Sequence, residues 1–267
     1  MALKGKVSVA IIGVMLLASI MAPFFYPHDP HAIDLDSLKE PPGPAHPMGT
    51  DQKGRDILAR LLEGAIISIS VSLLAAVVAM GIGLALGLVS GYFGGKLDLA
   101  LMGLVDLVLS FPSLLLAIGI SVVLPPGIYT VMLAIAFVGW ASFARLTRGY
   151  VLSLKEAQFV EAARAIGCGH GRVLLKHILP QCVPLALTLM TLKLGGYIIT
   201  EASLSFLGLG AQPPVATWGS MISQGRAYIA VAPWIAIFPG IAIAATALSF
   251  NLLGDALSAR FGVKMRG

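Results

Sequence analysis

Apolar residues in this chain come in runs too long for the core of a soluble domain: 7–25, 65–90, 99–123, 128–146, 183–201 and 231–253. A helix rises about 1.5 Å per residue, so about 20 such residues cross a hydrocarbon layer roughly 30 Å thick. Backbone N–H and C=O groups find no water there, and helices satisfy them internally. The six runs therefore predict an all-α integral membrane protein with six transmembrane helices. Only 12% of the residues are charged, against roughly a quarter in a soluble domain. With a mean hydropathy of +0.90, the excess apolar surface needs lipid to cover it.

Orientation follows from Lys and Arg, which collect on cytoplasmic flanks. With the N-terminus inside, 12 of them fall on the inner side: Lys4, Lys6, Lys96, Arg145, Arg148, Lys155, Arg164, Arg172, Lys176, Arg260, Lys264 and Arg266. Five fall outside (Lys39, Lys53, Arg55, Arg60 and Arg226), and Lys193 lies within a span. Both termini are thus expected in the cytoplasm, and the formal charge of +5 suits a face against anionic lipid without any nucleic acid. Lys4 and Lys6 before an apolar run also fit a signal peptide, but no small-x-small cleavage site follows, so the run reads as a span. Cys168 and Cys182 fall on the reducing side and are expected to be inert thiols.

No linker or repeat divides the chain. Residues 1–64 hold the first span and an outer loop; residues 65–267 form a core of five spans and a cytoplasmic loop, 147–182. In the outer loop, 26–64, Thr50 or Asp51 can cap a helix that places Ile57, Leu58, Leu61 and Leu62 on one face, predicting a short amphipathic helix at the outer surface. In the cytoplasmic loop, 156–166 is rich in helix formers; Gly167, Gly169 and Gly171 permit a tight turn, and a second helix runs from Arg172 to Leu179 before Pro180. Two short helices around a glycine turn predict a knob projecting from the membrane.

That knob contains Glu161-Ala162-Ala163, then Gly167, then Leu179-Pro180. This pattern resembles the EAA signature of ABC importer permeases, with His177 where the general pattern has Ile, as in the dipeptide, oligopeptide and nickel branch. Three further segments resemble that branch in the expected order: GTDQKGRD (49–56), EASLSFLGLG (201–210) with Pro213-Pro214 and Trp218-Gly219, and FNLLGD (250–255). The resemblance implies the permease fold with a coupling helix at 156–179 and an inner-membrane location. It implies a second, homologous permease as partner, with this chain similar to the type having the shorter outer loop. It also implies two ATP-binding subunits reached through 156–179, an external substrate-binding protein, and peptides or nickel as cargo.

Small side chains at Ala162, Ala163 and Gly167 would let a partner approach, and Glu161 and Arg164 can bond to it. The chain has no Gly-x-x-x-x-Gly-Lys-Ser/Thr loop, since Gly95-Lys96 lacks both the upstream Gly and the hydroxyl, so ATP hydrolysis is expected on another chain. No cofactor is expected.

Charge within a span costs at least about 2.5 kcal/mol at a helix centre and asks for a reason. Asp106 and Lys193 fall at similar depth. Either they pair with each other, or Lys193 snorkels while Asp106 faces water. Glu201, near the outer end of its span, either lines the substrate path or sits in the interface. An ion-gradient transporter using Asp106, Lys193 and Glu201 is the alternative function; the missing inverted repeat counts against it, and no paired carboxylates or nucleophile with its base suggest an enzyme. Gly83, Gly87 and Gly91 recur at the small-xxx-small spacing of close helix packing, within the subunit or between subunits. Pro112 is expected to kink the third span. His28, His31 and His46 share the outer loop; His28 and His31 have a spacing that could share a metal, but the solvated-loop reading is preferred and no metal site is expected.

Overall fold

The computed structural model describes residues 3–261. Lys264 and Arg266 lie outside them, as do the side chains of Lys4 and Arg260. The described residues form ten α-helices and no strand. Five long segments can cross a bilayer: α1 (Leu3–Phe25), α2 (Ile57–Phe93), α5 (Ile128–Leu154), the unbroken run His170–Phe206, and α10 (Trp234–Phe261). The sixth predicted span is a bent pair, α3 (Gly95–Leu109) and α4 (Ser113–Val123), set 91° apart. Pro112 has no N–H for the ladder and its ring keeps Phe111 out of the helical region, so the predicted kink is a full break.

The bent pair still carries the chain across, because α2 and α5 run parallel. Gly83 lies against Trp140 and Phe143, Gly87 against Ala144 and Thr147, and Gly91 against Val151, so residue numbers rise together along the two helices. Two parallel neighbours need the intervening chain, 94–127, to return from one end to the other. These glycines are where the helices touch. A Cβ at Gly87 would stand 2.6 Å from both Ala144 O and Thr147 Cβ, and one at Gly91 would stand 2.8 Å from Val151 Cβ.

Two ion pairs hold α3 to α5. Arg148 grips Asp98 with Nε and Nη2, each 2.6 Å from a carboxylate oxygen, and the Ser90 hydroxyl also donates to Asp98. About two turns further along α3, Arg145 pairs with Asp106. This corrects two expectations. Asp106 does not pair with Lys193, and α5, which carries Arg145 and Arg148, runs eight residues past the predicted end at 146.

The outer helix predicted before the second span does not exist as a separate element. Asp56, not Thr50 or Asp51, is the N-cap; its Oδ1 accepts from Ala59 N–H at 2.7 Å and α2 starts at Ile57 in line with the span. Ile57 is fully buried in the protein rather than laid on lipid. Residues 49–56 form a polar knot instead. Asp51 accepts from the Lys53 and Arg55 N–H groups and from Arg55 Nε, and Thr50 O accepts from Trp234 Nε1 at 3.2 Å.

At its far end, α8 (Leu179–Phe206) closes with Gly208 at φ +84, the Leu209 N–H bonding to Leu204 O and Gly208 N–H to Ser205 O. This is the paired-bond helix stop that glycine permits. Trp218, opening α9 (Trp218–Gly225), is fully buried and donates Nε1–H to Leu61 O at 3.0 Å. Outward, Leu74, Val78, Leu99, Leu107 and Ile241 are exposed in the isolated chain, as lipid or subunit contact requires.

Candidate functional site: the EAA knob and the cavity at the helix break

The EAA segment folds as α6, Gln158–Ala165. Its apolar positions fall on one face: Val160 and Ala163 are buried with Leu88 and Tyr92 of α2, Val151 of α5, and Val173, Ile178 and Cys182. The helix stops where the sequence supplies glycine. Gly167 has φ +86, its N–H bonds to Arg164 O at 2.9 Å, and Cys168 N–H bonds to Ala163 O at 3.0 Å. After this turn the predicted second helix is not a separate short one. α7 (His170–Arg172), a π-helical segment (Val173–Ile178) and α8 continue as a single run of 37 residues, with Pro180 just after the π-helical segment, where the regular ladder is already interrupted.

The knob's outward face is what a partner can meet. Glu161, Ala162, Ile166, Gly167 and Pro180 are exposed, Ile166 at 82%, while Leu179 is half-buried against the cluster. One residue differs from expectation, and another has an additional contact. Ala163 is 4% exposed and packs inward, so it cannot let a partner approach. Arg164 stacks over the Tyr92 ring at 5.3 Å, and the Tyr92 hydroxyl lies 2.9 Å from His170 Nδ1, so Arg164 ties α6 to the end of α2. Sequence reading missed Phe159, Ile166 and Leu175, all large, apolar and exposed here. The signal was present in the pattern: Ile166 falls off the stripe that buries Val160 and Ala163.

A cavity of about 320 Å³ opens where α3 breaks from α4. Val108, Phe111 and Ser113 form one wall, Gly139 and Ser142 of α5 another, and Lys193, Tyr197 and Thr200 of α8 the third. Lys193 and Tyr197 are one turn apart, the buried Tyr197 hydroxyl has no hydrogen-bond partner, and the lining contains no acid. Asp106 is not among the residues that line this cavity, and 68% of its side chain is exposed. Glu201 is not in the wall either; it is buried inside the subunit and accepts from the Ser205 hydroxyl at 2.7 Å. The three charges therefore do not form one relay. Cys168 and Cys182 are both free thiols.

Residues 83–267 match the family described as "Binding-protein-dependent transport system inner membrane component". Across 95% of its length the chain is 41% identical to the glutathione transport system permease protein GsiD of Pectobacterium atrosepticum, covering 85% of that protein. It is 42% identical to GsiD of Escherichia coli O157:H7 over 95% of its length and 84% of that protein's. It is 41% identical over 94% of its length to the E. coli K12 protein named "Probable D,D-dipeptide transport system permease protein DdpC", covering 84% of it. In fold it is similar to an inward-facing structure of the MetNI methionine ABC transporter, with a TM-score of 0.57 at 16% identity, over 75% of this chain and 97% of that one.

Proposed function

Because the chain belongs to the family of binding-protein-dependent transport system inner membrane components, we propose that it is one half of a peptide import channel, driven through α6 by an ATPase on another chain. It is a multi-pass inner-membrane permease of the ABC transporter class and not an enzyme. The second half would be a homologous permease, with two ATP-binding subunits below and a substrate-binding protein outside. Both termini would lie in the cytoplasm.

The carrying observation is the construction of the knob: α6 is fixed by a buried face to the inner ends of α2 and α5 while Glu161, Ala162, Ile166 and Gly167 stay outward. A partner docked on that face moves both spans when it moves, which turns ATP binding into a change of access. Co-purification from gently solubilised membranes, with ATPase assays, tests this. The wild-type chain is expected to bring down a second permease and the ATPase. Glu161→Lys is expected to lose ATPase capture or to reduce transport at least tenfold, with insertion retained. Gly167→Asp should do the same by straining a position with φ +86. Normal transport by either variant in an assembled complex would refute the assignment.

For cargo, the cavity favours small peptides over nickel. An ammonium and a phenol hydroxyl in an otherwise uncharged wall suit an anionic group on a partly apolar body, and relatives are named for glutathione and dipeptide transport. In cells carrying the whole system, Lys193→Met is expected to cut uptake of glutathione or of a free-acid dipeptide several-fold, and that of an amidated dipeptide less. Equal effects on both would remove Lys193 from cargo recognition.

A further inference from the structure

The outer loop gathers a polar cluster that neither the knob nor the cavity uses. Where the chain leaves α1, Tyr26 stacks on His28 with ring centroids 4.5 Å apart, and His28 stands edge-on to His46 at 5.2 Å. His46 Nδ1 lies 2.8 Å from Asp56 Oδ2, which also accepts from the Tyr26 hydroxyl at 2.8 Å. One ligand atom each from His28, His46 and Asp56 lie within 4.8 Å of one another. The partner expected from spacing alone, His31, turns elsewhere; its Nε2 lies 3.2 Å from Glu63 Oε1.

Two features separate this cluster from an ordinary hydrogen-bonded knot. His28 Nδ1 is buried without a hydrogen-bond partner, so the ring keeps an uncommitted nitrogen among groups that are otherwise engaged. A cavity of about 380 Å³ opens beside His28, and its wall includes Glu63, whose Oε2 is also buried without a partner. Such a space holds the water molecules that complete a coordination shell.

We propose that His28, His46 and Asp56 bind one divalent first-row transition ion of the zinc and nickel class. Two imidazoles and a carboxylate suit those ions, whereas magnesium and calcium take all-oxygen shells. Bonds of about 2.0–2.1 Å place ligand atoms roughly 3.3 Å apart, so the ion opens the 2.8 Å His46–Asp56 contact slightly while drawing the most distant ligand atoms together by up to about 1.5 Å. It displaces the His46–Asp56 hydrogen bond, the imidazole carrying its proton on Nε2 once the ion holds Nδ1, and in acid protons compete for the imidazole ligands and weaken binding. Meanwhile Asp56 Oδ1 remains on the Ala59 N–H and the Tyr26 hydroxyl orients the carboxylate from outside, as second partners of metal ligands do. The ion ties the exit of α1, the middle of the outer loop and the first turn of α2 to one point. None of this depends on the transport reading.

The test uses the full chain without a polyhistidine tag, purified in detergent, stripped with chelator and titrated calorimetrically with zinc chloride and separately with nickel chloride at pH 7.5. One equivalent of at least one ion is expected to bind, at least tenfold more weakly at pH 5.5. His28→Ala, which leaves the His46–Asp56 bond and the α2 cap in place, should weaken binding at least tenfold, and His31→Ala should leave it unchanged. X-ray absorption of the loaded protein should show about two imidazole ligands. Absence of stoichiometric binding, or binding indifferent to His28→Ala, overturns the proposal.

Discussion

Arg148 and Arg145 make the same kind of bond one turn apart, yet their surroundings set different values on them. Arg148 holds Asp98 with two parallel N–H donors, and only 16% of the Asp98 side chain is exposed. Arg145 and Asp106 are joined by a single contact and are 52% and 68% exposed in the isolated chain, so groups outside the subunit can reach and replace either partner. Arg148→Ala is therefore expected to destabilise the purified protein by about 2 kcal/mol, leaving a carboxylate short of its partners, and Arg145→Ala by less than about 1 kcal/mol. Thermal unfolding in one detergent checks both; equal losses would contradict this ranking. Neither pair was legible in the sequence. Hydropathy falls at Arg145 and predicts an end to the span at 146, but a helix needs no apolar side chains to continue its backbone ladder and α5 runs on to Leu154. Depth alone then matched Asp106 with Lys193, because the register of α3 on α5 is set by packing that single-chain periodicity does not encode.

At the scale of elements, the contact between α2 and α5 depends on what is absent from Gly83, Gly87 and Gly91. Leu at 87 would drive carbon into Ala144 O and Thr147 Cβ, both within 2.6 Å of the first added atom. Gly87→Leu is expected to cost about 3 kcal/mol and to lower the yield of assembled complex, whereas the same change at Gly81, which meets nothing within 4 Å, should be neutral. Measured equality of the two would mean that α2 and α5 separate readily. The glycine spacing and the proline break were both visible in the sequence. What could not be read was the angle at Pro112: a proline removes one hydrogen bond and one conformation from its neighbour, and the rest of the 91° is set by what α4 packs against.

For the whole molecule, the expected sidedness, with both termini in the cytoplasm, rests on counts of charge spread over many segments, not on any single contact. It makes a direct prediction. In a background with Cys168 and Cys182 changed to Ser, Lys53→Cys should react with a membrane-impermeant maleimide in intact spheroplasts, and Lys176→Cys only after permeabilisation. The reverse pattern would invert the topology. The knob was also legible, since helix formers, a glycine stop and a proline follow one another in order. Its outward apolar residues were not, because Ile166 looks like any other helix residue until the buried stripe of Val160 and Ala163 is placed.

The run from His170 to Phe206 is mechanically a lever. At about 1.5 Å per residue its 37 residues span about 55 Å, so a swing of about 5° about its inner end carries the outer end about 5 Å. The cavity residues Lys193 and Tyr197 ride on the outer half of that arm, and the π-helical turn Val173–Ile178 lies at its base, beside α6. Turns of this kind loosen the α-helical ladder and recur at functional bends. A small rotation at the α6 end would thereby be enlarged into a displacement of about 5 Å at the other end of the arm.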